Sequence, residues 1–466
     1  MLKFTPEQGD IIDHVEAKDG ILLVHAGAGT GKTFIAKHIA NLLDPRKGLY
    51  TAFNKAIVEE GTSRFHGTNM ECKTFHALAY KHVKPTQKIS DLTYTCIEEN
   101  ISYPFKFEII TAIDMFYVSR SVDMYQFFED HIPEEDPARN TKIDLCIKYV
   151  EKMVNDELPP TFNFMLKFFH LMLVEGTANC DYDLVILDEI NDTTAVALEI
   201  FKLIPAAKKI GLGETNQAIY HFLNLVNGFE ELADEPVLYL THSWRCSEII
   251  AQSIQNFMRK DVSEDFNFVG TDDPVANGKF LYCTMTNALI VSEIQNRIDK
   301  NKGFHLLRKI SEIFAAPMAV ASAAAGKVPY QKKYGFLADE YKNYVKKREK
   351  GQSYMMYLLE NVDDFEVQSA IRLLLSFQRK NINLFDLYKK AKESPVDLNY
   401  TIATVFTSKG LEFETVEIGD DLNVKIESIR ENGGIQNQED LVAYRCYYVA
   451  CSRAGKNLLS ARALRV

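Results

Sequence analysis

The sequence predicts an α/β protein with two parallel sheets, each flanked by helices and each interrupted by a helical insertion. Three observations predict it. Short apolar runs alternate with helix-patterned segments over residues 1–83, the rhythm of parallel strands joined by crossover helices. The first run, ILLVH at 21–25, leads into a glycine-rich turn, AGAGTGKT at 26–33. Strand-like runs vanish between about 84 and 178, return, and give way again to helical sequence before about 395.

The elements follow in order. TFIAKHIANLL at 33–43 has helical spacing of apolar positions. LYTAF at 49–53 and MECKT at 70–74 are expected strands, each followed by a helix. TKIDLCIKYVEKMVND and FNFMLKFFHLMLVEG read as helices of the first insertion. Strands resume at DLVILDE, KKIGLG (208–213) and VLYLT (237–241). A second sheet is expected from KFLYCT (279–284), TIATVF (401–406) and TVEIG (415–419), with a helix near 439–451 and a closing short strand. The Ala-rich tract at 314–330 is expected as a flexible or loosely packed helical segment. The lysine-rich stretch after it reads first as a solvated helix face and second as a phosphate-contacting patch.

Composition fits this class. A chain of 466 residues, 46% hydrophobic and 25% charged, lies in the ordinary globular range with room for several domains. No apolar stretch approaches the roughly 20 residues that cross a bilayer. MLKFTPEQGD lacks the layout of a secretion signal, so a soluble, cytoplasmic protein is expected. The eight cysteines form no CxxC pair and no zinc-spaced cluster, so reduced thiols are expected. A net charge of −11 argues against a surface coated in nucleic acid but leaves room for a narrow basic groove.

The turn at 26–33 has the composition of a phosphate loop, with Ala26 where the first glycine usually stands. Gly27, Gly29 and Gly31, interleaved with Ala28 and Thr30, let backbone N–H groups face phosphate oxygens. The following helix adds its positive end. Lys32 is expected on the β- and γ-phosphates and Thr33 on Mg²⁺.

Downstream, DLVILDEIND at 183–192 is an apolar run ending in Asp188 and Glu189. In parallel sheets, ligand-facing groups sit at the carboxyl ends of strands. Asp188 is therefore expected beside the phosphate loop as a Mg²⁺ holder. Glu189 is expected to orient and deprotonate the water that attacks the γ-phosphate. Two adjacent acids are costly to bury unless a cation compensates them. The plainer readings, a bare glycine turn and acids capping a helix, each explain one feature and not the pair.

With these blocks in place, the chain resembles the UvrD/Rep-type superfamily 1 DNA helicases. FTPEQ (4–8) is similar to the Q motif, TAFNKA (51–56) to motif Ia and CKTFHALAY (72–80) to motif Ib. GETNQAIYHF (213–222) is similar to motif III and HSWRCS (242–247) to motif IV. TVFTSKGLEFETVEIGDD (404–421) is similar to motif V and YYVACSRAGKNL (447–458) to motif VI. The blocks span nearly the whole chain. FNKAI and CKTFHALAY are closest in wording to the helicase core of the F-box DNA helicases, and no F-box region is found in the sequence.

The resemblance implies two RecA-like P-loop domains. Domain 1A would comprise 1–83 and 181–250, interrupted by a helical 1B insertion at 84–180. Domain 2A would comprise 251–300 and 398–466, interrupted by a helical 2B insertion at 301–397. It implies ATP and Mg²⁺ as cofactors. Gln8 would read adenine, Trp244 would stack on it, and Glu412 would contact the sugar beside the turn at Gly410. Arg245 and Arg453 would neutralise the γ-phosphate. Gln217 would link that phosphate to the DNA side.

Single-stranded DNA would meet Phe53, Asn54, Lys55, Thr74, His76 and Phe222 by stacking and phosphate contact. Read without the family, Phe53 and Phe222 are core aromatics and Trp244 is an ordinary buried side chain.

Some residues depart from the family pattern. Asn191 stands for the Gln of DEAQD and Glu214 for the Asp of motif III. Leu223 stands for an Arg, Phe406 for a His, and Met285 for an Arg before Thr-Asn. The expected activity is an ATP-dependent DNA helicase or single-stranded DNA translocase moving 3′ to 5′, monomeric, acting at duplex junctions with no membrane partner. The alternatives are a protein-stripping translocase and a nucleotide-gated DNA-binding protein with weak turnover. Replication, repair and recombination all employ such motors. A compact chain of this kind would suit a viral or bacterial accessory helicase.

Overall fold

The computed structural model describes residues 4–52, 55–220, 225–347 and 351–465, without the side chains of 55–57, 60, 103 and 332. The chain divides into two compact units: Met1–Gly27 with Gly31–Leu240, and Ala28–Thr30 with Thr241–Val466. The expected change of domain at residue 250 falls inside the helix Glu248–Asp261, whereas the units divide at Leu240/Thr241.

The first unit holds a six-stranded sheet of β1 (Gly20–Ala26), β2 (Gly48–Ala52), β3 (Met70–Cys72), β4 (Tyr182–Asp188), β5 (Ala206–Gly213) and β6 (Val237–Leu240). Its order is β3-β2-β4-β5-β1-β6, with every pairing parallel. Side chains alternate between faces along a strand. Leu22, Val24, Leu184 and Ile186 therefore pack on one face with Ile35 and Ile39 of the helix Lys32–Leu43. Leu23, Val185 and Leu187 pack on the other face. That second face continues into the insertion, where the helices Tyr103–Val118, Met124–His131, Arg139–Val154 and Phe162–Val174 bury Phe116, Phe128, Tyr149 and Phe169. Asp123 and Thr161 cap two of these helices with their side chains.

The second unit holds a parallel five-stranded sheet built from β9 (Phe280–Thr284), β10 (His305–Leu306), β11 (Tyr400–Thr404), β12 (Phe413–Ile418) and β13 (Ala454–Leu459). Its order is β10-β11-β9-β12-β13, and β7 (His242–Ser247) with β8 (Val269–Thr271) forms a separate pair. The two parallel sheets give the mixed α/β architecture of RecA-like P-loop domains. TIATVF is only partly strand: after Thr404, whose hydroxyl accepts from the Thr407 N–H, the chain turns into a short helix, Val405–Ser408.

The Ala-rich tract is helical as expected over Ala315–Ala324, but that helix is not loose. Ala315–Ala324 is an ordered helix with Ala316, Ala319, Val320 and Ala323 buried, and it packs on the helix Phe365–Arg379. Small side chains let the two backbones approach, so the Ala-rich helix is packed rather than loose, whereas the end of the tract leaves it with Val328 and Tyr330 exposed. In the lysine-rich stretch, Lys333 pairs with Glu366 and Lys342 with Asp339 on an exposed face. Among the described residues, no helix is long and apolar enough to cross a membrane.

Candidate functional site

The glycine-rich turn joins β1 to the helix Lys32–Leu43. Gly29 and Gly31 adopt positive φ, +71° and +88°, conformations that a side chain would strain. A Cβ on Gly29 would also lie 2.5 Å from the Arg245 Cβ. Gly27 needs no such freedom; its N–H donates to the Leu240 carbonyl of β6 at 3.0 Å. Lys32 and Thr33 open the helix, so both side chains start where the backbone N–H groups lack intrahelical partners.

β4 ends at Asp188 with Glu189 just past it, and β5 alone separates β4 from β1 in the sheet. Lys32 Nζ reaches across to Glu189 Oε1 at 3.1 Å, an ion pair with both side chains about 15% exposed. Glu189 holds φ at +55°, a strained left-handed conformation for a side-chain-bearing residue. Asp188 is buried. Its Oδ2 accepts from the Tyr50 hydroxyl at 2.5 Å and its Oδ1 from the Glu189 N–H at 2.9 Å. Burial and then the neighbouring Glu189 charge push the Asp188 carboxyl upward, with Lys32 opposing.

These residues fit a magnesium nucleotide. Mg²⁺ is commonly held by one or two carboxylates together with phosphate oxygens rather than by a protein cage. Among the described residues, no group of three or more His, Cys, Asp or Glu would hold a metal unaided. Asp188 supplies a carboxylate whose ionisation a nearby cation favours, and Thr33 adds a hydroxyl. Lys32 supplies a cation already drawn to a carboxylate, which a phosphate can replace.

Beyond β5 lies a short turn, Thr215–Gln217. Asn191 Oδ1 accepts from the Glu214 N–H at 2.9 Å, and Gln217 Nε2 donates to the Glu214 carboxylate. The two departures from the family pattern thus touch each other. The shorter amide of Asn191 holds the backbone of the residue whose longer carboxylate reaches Gln217.

Other sequence-predicted residues have structural partners as well. Gln8 is buried and forms a capping box with Thr5, its Oε1 accepting from the Thr5 N–H at 3.1 Å. Thr74 caps the helix Phe75–Val83 through the Ala77 N–H. His76 lies edge-on to Phe162 with ring centroids 6.1 Å apart, and its pKa is lowered by burial. Phe53, Asn54, Phe222 and Leu223 lie outside the described residues. Lys55 begins the helix Lys55–Arg64, and its side chain is not among those described.

In the second unit, three predicted residues gather around Ser452. Arg245 donates to the Ser452 carbonyl at 3.0 Å and pairs with Glu412 at 3.3 Å. Arg453, almost wholly buried, donates to Ser452 Oγ, the Val449 carbonyl and the Leu411 carbonyl. Gly410 adopts φ +86° in the turn before Glu412. Trp244 is 49% exposed, with its ring edge-on to His242 at 4.5 Å, so it is not the core tryptophan of the plainer reading. Met285 lends its backbone N–H to Asp421 at 3.0 Å, and the Thr286 N–H and hydroxyl bond the same carboxylate.

Sequence reasoning missed Tyr50, His25 and Phe162. Tyr50 read as one more apolar strand residue, and only the register of β2 against β4 shows its hydroxyl on Asp188.

The family model described as AAA domain matches residues 8–223. F-box DNA helicase 1 of Gallus gallus is 25% identical over 510 residues, covering 99% of this chain and 49% of its own length. The chain is similar to the F-box DNA helicases along nearly its whole length. F-box DNA helicase protein 1 of Schizosaccharomyces pombe is likewise 25% identical, over 98% of this chain and 57% of its own length. The chain thus spans about half the length of the curated relatives it matches. The matched stretch contains the first unit's residues that the sequence assigns to the nucleotide, from Gln8 through Gln217.

Proposed function

We propose that the protein is an ATP-hydrolysing DNA helicase, a single-stranded DNA translocase that runs 3′ to 5′. The observation that carries the reading is the Lys32–Glu189 pair, joining the phosphate-loop helix to the acidic end of β4 beside the buried Asp188. Similarity to DNA helicases along nearly the whole chain supports it.

Lys32 exchanges Glu189 for the β- and γ-phosphates of ATP. Glu189, released, orients a water and takes its proton as the water oxygen bonds to the γ-phosphorus and the bond to the bridging oxygen breaks. ADP and phosphate leave. Thr33 and Asp188 would hold Mg²⁺, which would supply charge neutralisation. Arg245 and Arg453, both already hydrogen-bonded at Ser452, are assigned to the charge spreading over the phosphoryl oxygens. Gln217 reports phosphate state toward the strand, and His76, Thr74 and the aromatics of the first unit hold DNA by stacking and backbone contact.

The test is ATP hydrolysis with and without single-stranded DNA, and unwinding of duplexes bearing only a 3′ or only a 5′ tail. Hydrolysis that rises with DNA and unwinding from the 3′ tail support the reading. Hydrolysis indifferent to DNA points instead to a nucleotide-gated binding protein. DNA-stimulated hydrolysis without unwinding points to a protein-stripping translocase. A Lys32→Ala protein that still unwinds at the parent rate overturns the nucleotide assignment.

A further inference from the structure

We infer that His25 is a positioning residue that ties the phosphate-loop strand to the turn carrying Gln217. The inference rests on the helicase reading for its consequence, though the bond itself does not. His25 is the penultimate residue of β1, immediately before the glycine-rich turn. Its register partner on β5 is Gly213, so its ring lies beside the chain as that chain leaves the sheet. There His25 Nε2 accepts from the Thr215 N–H at 3.3 Å.

The ring is seated between two aromatics, Phe229 at 5.0 Å and Tyr239 at 5.6 Å between centroids. An imidazole nitrogen accepts only in the neutral tautomer that carries its proton on the other nitrogen. Burial, reinforced by the Lys32 charge, lowers the His25 pKa to about 4 and keeps that tautomer through the neutral range.

The partner of this bond gives it meaning. Two consecutive amides of one short turn are held by side chains from two different strands. Asn191, just past β4, holds the Glu214 N–H, and His25, on β1, holds the Thr215 N–H. The Gln217 N–H closes the turn on the Glu214 carbonyl at 2.9 Å, and its side chain bonds the Glu214 carboxylate. Asn227 Nδ2 adds a bond to the Thr215 hydroxyl at 3.3 Å. The seat of Gln217 is therefore set jointly by the strand that ends in the phosphate loop and the strand that ends in the acids. A shift of either strand end moves Gln217.

The experiment compares the parent with His25→Leu, which fills the ring's space without an acceptor, and His25→Gln, whose Oε1 reaches about as far as Nε2. Hydrogen exchange of the 213–217 segment reads the bond directly. Slow exchange of the Thr215 amide is expected in the parent. His25→Leu is expected to speed it by about tenfold or more, because a half-buried N–H loses its acceptor. Steady-state kinetics with single-stranded DNA reads the consequence. His25→Leu is expected to lower kcat about tenfold while KM for ATP stays within about twofold, and His25→Gln to recover most of both effects.

Fast exchange of Thr215 in the parent overturns the inference, as does unchanged exchange in His25→Leu. Equal losses in the Leu and Gln variants also overturn it, since they assign the effect to ring packing. A parent that hydrolyses ATP without responding to DNA overturns the motor reading instead, and leaves the exchange result to judge the bond alone.

Discussion

The Tyr50 hydroxyl donates to Asp188 Oδ2 at 2.5 Å, a buried phenol–carboxylate bond between neighbouring strands of the first sheet. It orients the carboxylate proposed to hold Mg²⁺. Loss of such a supporting partner typically costs about 10–100-fold in metal affinity. Tyr50→Phe is therefore expected to raise the Mg²⁺ concentration needed for half-maximal ATP hydrolysis by about tenfold or more. It is also expected to lower stability by about 1–3 kcal/mol, because a buried carboxylate oxygen loses its donor. A magnesium titration of the ATPase and a urea denaturation curve check the two halves separately. An unchanged magnesium requirement removes Tyr50 from the site.

Glu189 combines a proposed chemical role with a backbone conformation that costs energy. In most positions a glycine is less stable than an alanine, since it gives up more conformational freedom on folding. At φ +55° the order reverses, because alanine retains the Cβ clash that glycine lacks. Glu189→Gly is expected to be more stable than Glu189→Ala by about 1 kcal/mol, with ATP turnover in both reduced by about 10²-fold or more. Denaturation midpoints of the two variants, measured side by side, decide the first point. Single-turnover hydrolysis decides the second. Alanine being the more stable would show that the strain is not present in solution.

Asn191 is packed against a glycine. A Cβ on Gly213 would stand 2.3 Å from Asn191 Oδ1, and the Asn191 side chain is buried. Its Oδ1 is used by Glu214, while its Nδ2 is buried with no partner among the described residues. Asn191→Gln adds a methylene where neither neighbour has room. The expected cost is about 1–3 kcal/mol of stability, the usual penalty for overpacking a filled site. DNA stimulation of hydrolysis is expected to fall as well, since the added length pushes on the Glu214 backbone. A Gln variant as stable as the parent would mean that the site relaxes, and that the departure from the family pattern is neutral.

These residues mark where sequence reading reaches its limit. Most strands of both sheets are legible because apolar runs and turn residues are local signals, and the glycine-rich turn and acidic strand end announce themselves by composition. β7, β8 and β10 are not legible as strands, because HSWRCS is mostly polar, β8 spans only Val269–Thr271 and β10 only His305–Leu306. The residues proposed for the nucleotide are legible one by one, but their pairing is not. That Lys32 meets Glu189 depends on a sheet order in which β5 separates β1 from β4, and strand order is not written in any one segment. Tyr50 and His25 were invisible for the same reason: each looks like strand filler until register sets it against Asp188 or Thr215. The Ala-rich tract misled in the opposite direction. Small side chains resemble a linker in sequence, yet they permit close helix packing in space.

Lys167 offers a test of the first insertion alone. It lies in the helix Phe162–Val174, is 2% exposed, and donates to the Ser119 and Ser121 carbonyls at 2.8 and 2.7 Å. Its ammonium also lies 4.6 Å from the centre of the Phe116 ring. Burial lowers its pKa to about 7, against 10.5 for the unfolded chain. Between those values the unfolded chain holds a proton that the folded chain has released, so stability rises with pH through the window. Below about 7 both states are protonated and the full cost of the buried charge remains. The parent is expected to gain up to about 1.4 kcal/mol per pH unit between pH 7 and 8.5 relative to Lys167→Met, which carries no proton in either state. Restricting the range to below 8.5 keeps clear of the buried thiols, such as Cys146, whose pKa is pushed up to about 12 and whose ionisation in the unfolded chain reverses the trend. Urea denaturation of both proteins across that range measures the difference in slope. Parallel slopes would mean that Lys167 keeps its charge in the folded state, held by the two carbonyls at the end of the Tyr103–Val118 helix.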